Sequence, residues 1–155
     1  MRPTPRLLIA LGLILALAGM LTSLYFSDVV GYAPCILCWY QRICLYPLVA
    51  IFTVALIRKD TSVHWYALPL ALIGLFISVY HNTIYYIARY TPANTITACD
   101  IHGVSCTSRY IEWFGFITIP FLSFLAFLAI LILMVWHYNI TRSAATPPRS
   151  NDSRE

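Results

Sequence analysis

Apolar residues fall into four long runs, and most polar residues collect between them. The first run is 7–26, "LLIALGLILALAGMLTSLYF", and the others are about 39–57, 65–87 and 113–137. A helix crosses the hydrocarbon core of a bilayer in about 20 residues, so each run is long enough. A barrel strand would alternate lipid-facing and lumen-facing positions, and these runs do not alternate. The pattern predicts an all-α fold, an integral membrane four-helix bundle, with residues 1–137 as one domain. Trp39, Trp65, Trp113 and Trp136 mark run ends, where aromatic rings sit at the membrane interface. Pro47, Pro69 and Pro120 lie inside runs two, three and four and predict kinks. Arg2, Arg6 and the "ALA" at 16–18 also resemble a secretion signal, but the run continues to Phe26, so a retained helix is expected. Residues 138–155 are polar, contain Pro147 and Pro148, and are expected to form a disordered cytoplasmic tail.

Composition supports the same class. Of 155 residues, 60% are hydrophobic and 10% charged, against about a quarter charged in soluble domains. The net charge of +4 does not imply nucleic acid, because the basic residues are scattered at run ends and form no stripe. Their placement instead sets orientation. Arg2, Arg6, Arg58, Lys59, Arg142, Arg149 and Arg154 fall in the terminal segments and the link between runs two and three; Arg89 and Arg109 fall in the other links. Seven against two predicts both termini on the cytoplasmic side.

That orientation puts Cys35 and Cys38 at the outer mouth of the second helix. Cys99 and Cys106 then lie in an outer loop of 25 residues, 88–112. Four of the five cysteines face the side where disulfides persist. Pro34 suits a first helical turn, and a cysteine at a helix N-terminus is favoured as the thiolate. Such a pair is suited to exchange rather than to a static bridge. At about 100° per residue, Cys35, Cys38 and Arg42 share one helix face, with Arg42 about 10 Å deeper than Cys35. An intramembrane arginine either snorkels to head groups or holds a partner. A lipid-soluble quinone has carbonyl oxygens for it and accepts the two electrons that a dithiol releases. Cys44 lies on another face and is expected to pack in the core. His81, at a depth similar to that of Arg42, is a candidate for binding the ligand or moving protons, or else a packing residue. His64, His102 and His137 are expected at the surface, Asp100 and Glu112 as solvated loop charges. Gly103 allows a tight turn between the outer cysteines.

The stretches "PCILCWYQR" and "CDIHGVSCTSRYIEWFGFITIPFLS" resemble the disulfide bond formation protein B family, in its short-loop, BdbC-like branch. The resemblance covers nearly all of 7–137. It implies a quinone-dependent thiol oxidase of the bacterial cell membrane, with both cysteine pairs on the extracytoplasmic side. Its partner would be a thioredoxin-like dithiol oxidase that in turn oxidises exported proteins. The resemblance further implies that Cys99 takes the mixed disulfide with that partner, that Cys106 exchanges with Cys35, and that Cys38 passes electrons to a quinone of ubiquinone or menaquinone type held near Arg42. His81 matches a histidine near that quinone. The segment between Cys99 and Cys106 is much shorter than in the best-known members, and Cys44 is outside the motif. Vitamin K epoxide reductase also carries CxxC in a helix bundle, but with a different order of motifs along its helices. Two other readings compete. A Cys/His metal-binding or transport protein is weakened because His81 and Cys44 form no path and no acidic residue lies mid-membrane, so no metal site is expected. A structural four-helix protein would hold two static disulfides.

Overall fold

Thr4 opens the chain's first helix: its hydroxyl accepts from the Leu7 N–H at 3.4 Å, and Pro5 occupies the first turn, where its missing N–H costs nothing. This computed structural model describes residues 4–90 and 118–145. Helix α1 is Pro5–Leu24 and continues through a short π-helical turn, Tyr25–Val29. Helices α2, Ile36–Arg58, α3, His64–Tyr90, and α4, Ile119–Ala145, follow. Among the described residues there is no strand, and all four helices are long and apolar enough to cross a membrane.

The helices pack as a ring: α1 on α2, α2 on α3, α3 on α4, and α4 back on α1. Asn82, late in α3, donates to the carbonyl of Pro120 at the start of α4, while His64 at the start of α3 meets His137 late in α4. The last two helices are therefore antiparallel. The start of α1 and the end of α4 lie at the end of the bundle that carries the turn at Lys59, opposite Cys35. Lys59 closes α2 in the left-handed region, at φ 58°, with its N–H returning to the Ala55 carbonyl.

Phe52, Leu48, Phe127, Ile130 and Met134 fill the interior, together with Cys44. Gly74 is required for this packing, because a Cβ there would overlap the Phe127 ring. Ile14, Ile43, Ile57, Phe76 and Ile132 point outward and are exposed. An apolar outer surface on a bundle with internally satisfied backbone is what a hydrocarbon solvent demands.

Several boundaries differ from expectation. Helix α2 starts at Ile36 rather than near Trp39, because Cys35 caps it; Pro34 lies before the cap and not in the first turn. Pro47 and Pro69 are inside helices, but Pro120 is the second residue of α4 as described, a position that tolerates it. Helix α4 runs on to Ala145, so 138–145 is helical rather than tail: no proline intervenes before Pro147, and the Thr141 and Ser143 hydroxyls bond back to the preceding turn. Cys99, Asp100, His102, Gly103, Cys106, Arg109, Glu112 and Trp113 lie outside the described residues.

Candidate functional site

Cys35 is the N-cap of α2, with extended backbone at φ −71° and ψ 169°. Its sulfur takes the place a serine oxygen fills at most helix starts, accepting from the Cys38 N–H at 3.4 Å. One turn of helix then returns Cys38 to the same side. The two sulfurs stand 2.9 Å apart as thiols. Oxidation to a disulfide needs only a small further approach.

His81 completes the cluster from α3. Its Nε2 lies 3.8 Å from the Cys35 sulfur, and its Nδ1 lies 3.3 Å from the Gln41 amide nitrogen. With a proton on Nε2 the ring donates to Cys35, while the Gln41 amide stands at Nδ1. Cys35, Gln41 and His81 are all buried.

The Cys35 thiol, just ahead of the membrane-spanning segment, is pulled from its ordinary value of 9.0 down to about 4. The hydrogen bond from the Cys38 thiol is the largest cause; the His81 hydrogen bond and charge and the Cys38 backbone N–H add to it, against an opposing effect of burial. Cys35 is therefore favoured as the thiolate at neutral pH. The positive end of the helix supports the same charge.

Arg42 lies one further turn along α2. Its Nε donates to the Ser23 hydroxyl at 2.8 Å and an Nη to the Ser23 carbonyl at 3.0 Å, so α1 holds the guanidinium in place. The guanidinium also sits 5.3 Å from the centre of the Trp39 ring. Its other N–H donors have no partner among the described residues.

Cys35, Cys38, Gln41, Arg42 and His81 line one cavity of about 510 Å³, whose remaining wall is mostly apolar and comes from all four helices and the segment that joins α1 to α2. That volume suits a small organic ligand, and an apolar wall with a few placed polar groups is the usual form of such a site. The expected sharing of a face by Cys35, Cys38 and Arg42 is thus realised as a common cavity.

Other residues differ from expectation. His81 reaches Cys35 directly, rather than merely matching Arg42 in depth. His64 and His137 are buried, 6% and 0% exposed, and not at the surface. The first turn of α3 packs against the end of α4, which closes over both rings. Cys44 is in the core, as expected. Gln41 and Ser23 were not anticipated. Gln41 was legible: it is three residues from Cys38, and so on the same helix side, and is polar within an apolar run. Ser23 carries no such signal, since a serine in an apolar helix commonly bonds its own backbone.

The family described as Disulfide bond formation protein DsbB matches residues 5–137. The chain belongs to this family. It is 50% identical over 121 residues to Disulfide bond formation protein C of Bacillus subtilis (strain 168), covering 78% of this chain and 85% of that protein. It is 49% identical over 126 residues to Probable disulfide formation protein C 2 of Bacillus anthracis, covering 81% and 86%. A Probable disulfide formation protein of Oceanobacillus iheyensis is 45% identical over 136 residues, 88% of each chain. No solved structure gives a significant match. Family membership and four spanning helices make this a multi-pass membrane protein of disulfide bond formation.

Proposed function

We propose that the chain reoxidises an extracytoplasmic thioredoxin-like dithiol oxidase by disulfide exchange and passes the electrons to a membrane quinone, of ubiquinone or menaquinone type. The observation that carries this reading is the shared cavity: a dithiol and a cation line one mostly apolar space of about 510 Å³. The residues fit such a ligand. The apolar wall suits a ring and the start of a lipid tail, and Arg42 has N–H donors left for a carbonyl oxygen after Ser23 takes its share. When bound, a quinone supplies an acceptor for two electrons.

The protein's own part is exchange and charge placement. In this proposal Cys99 takes the mixed disulfide with the partner. Cys106, once reduced, attacks the Cys35 sulfur of the Cys35–Cys38 disulfide; an S–S bond forms between Cys106 and Cys35, and Cys38 leaves as a thiolate. Cys38 is then a thiolate in the first turn of α2, beside the cavity and one turn from Arg42. The partner's second thiol resolves the mixed disulfide and frees Cys99, which attacks Cys106; the Cys99–Cys106 disulfide re-forms and Cys35 leaves as a thiolate beside Cys38. The Cys35/Cys38 dithiol would then give two electrons and its protons to a bound quinone as its own disulfide re-forms. Over a full cycle two electrons and two protons leave the dithiols. His81 steadies charge on Cys35 through Nε2 and lines the ligand cavity as well.

Both cysteine pairs face the extracytoplasmic side of the cell membrane in this reading, which the charge bias of the links supports. The test is quinone reduction by purified protein supplied with a reduced thioredoxin-like oxidase. Wild-type protein should turn over and Cys38→Ser should not; activity retained in Cys38→Ser would refute the assignment.

A further inference from the structure

Three ligand atoms converge at the site from two helices: the sulfurs of Cys35 and Cys38 and a ring nitrogen of His81, all within 4.8 Å of one another. Two thiolates and an imidazole are donors that zinc prefers. We propose that the reduced form of this site binds a thiophilic divalent cation, Zn²⁺, and that metal binding and disulfide formation exclude each other.

The distances support a shared ion. Zn–S bonds of about 2.3 Å at a tetrahedral angle put two sulfurs about 3.8 Å apart, and with a Zn–N bond of about 2.0 Å a sulfur and nitrogen stand about 3.5 Å apart. The Cys35 sulfur and His81 Nε2 are 3.8 Å apart, already close to that spacing. The sulfurs, at 2.9 Å, must part by about 0.9 Å to reach it, which a small side-chain rotation at Cys38 supplies.

The surroundings also fit. A histidine ligand uses one ring nitrogen and needs a partner for the other. Binding through Nε2 puts the ring proton on Nδ1, and Gln41 is already at that atom, 3.3 Å away. Its amide can turn its oxygen to accept the proton. Three protein ligands leave a fourth tetrahedral position for water from the adjoining cavity.

Charge balance is simple. The ion displaces whatever protons the two thiols carry, these pass to water, and no electrons move. Each sulfur then spends a lone pair on the metal. The dithiol cannot close to a disulfide until the ion leaves, and the disulfide cannot bind the ion at all. Zinc in the surrounding medium therefore holds the reduced protein out of its cycle.

Cobalt is the probe, because Co²⁺ in a tetrahedral thiolate site gives intense visible bands. The protein used is the full chain carrying Cys99→Ser and Cys106→Ser, which removes the second dithiol. Reduced protein should bind one Co²⁺ per chain with tetrahedral bands, lose them on adding Zn²⁺, and show none after oxidation. His81→Ala should weaken binding by more than tenfold and Gln41→Leu by about tenfold, the usual effect of losing an outer partner. His81→Gln, closer in size and polarity, serves as a second variant if the alanine protein does not fold. The proposal is overturned if the reduced protein binds no Co²⁺, if the bands are those of an octahedral ion, or if binding is unchanged when His81 is replaced. A protein that reduces quinone but fails these tests would keep its proposed function and lose only the metal site.

Discussion

Both ends of the bundle bury histidine, and His81 and His137 are treated in opposite ways. His81, near the cysteines, is 1% exposed and has a polar group at each ring nitrogen: Gln41 at 3.3 Å and Cys35 at 3.8 Å. His137, at the far end, is 0% exposed, and neither of its nitrogens has a hydrogen-bond partner among the described residues. Its ring instead lies among aromatic rings, 5.6 Å from that of His64. Residue type and burial are the same, so neither marks a working histidine. The difference is the network. Around His81, polar groups from two helices converge on a reactive sulfur at a cavity wall. A buried polar group left unpaired costs about 1–3 kcal/mol, so His137 carries a burden that His81 avoids.

The comparison yields graded predictions. The largest effect belongs to the cysteines themselves. Cys38→Ser should take disulfide-generating activity to background, while Cys44→Ala, six residues along in the core, should leave it nearly intact; partner oxidation followed by thiol trapping reads both. Next comes Arg42→Ala. A hydrogen bond to a charged group contributes about 1.5–3 kcal/mol, so the KM for quinone should rise by about 10- to 100-fold with the protein still folded.

Acidity is the third contrast. A thiol held at about 4 stays a thiolate as pH falls from 9 to 5. The reduced folded state thus gains stability that is fully present above the ordinary value of 9.0 and is lost as pH falls through about 4. Alkylation of reduced Cys35 should accordingly persist at pH 5, where an ordinary thiol is nearly unreactive. In His81→Ala, which removes one of the groups lowering that value, the midpoint should move upward. The smallest effect is expected at the other histidine. His137→Leu should leave activity unchanged and should raise thermal stability, by up to about 1–3 kcal/mol, since it removes an unpaired buried polar group. A loss of activity in His137→Leu comparable to that in His81→Ala would abolish the contrast between the two ends.

Much of this was legible in the sequence. The continuous apolar runs of 7–26, 39–57, 65–87 and 113–137 could satisfy their backbone in lipid only as helices, and helices are found in all four. Period alone placed Cys35, Cys38 and Arg42 on one side of α2, and the cavity they share confirms the geometry. Helix ends were less legible, because a capping side chain decides them. Cys35 capping through sulfur moved the start of α2 earlier, and the absence of a breaker before Pro147 let α4 run on. The histidines show a different limit. His64 and His137 are at the ends of apolar runs, where solvent is the natural expectation, yet contact between the two helix ends buries both. Depth along a helix could be read for His81, but its contact with Gln41 and Cys35 depends on how α3 is rotated against α2. That rotation is set by packing, including the closeness of α3 to α4 that Gly74 permits.

The central claim is that electrons from the Cys35/Cys38 dithiol leave through the cavity beside Arg42. The most direct measurement is the quinone absorbance of purified, quinone-loaded protein in a single turnover with the reduced thioredoxin-like partner. Wild-type protein should bleach about one quinone per chain. Arg42→Ala should bleach little at the same quinone concentration, and Cys38→Ser none. Full bleaching in Cys38→Ser, or a partner oxidised with no change in quinone absorbance, would contradict it.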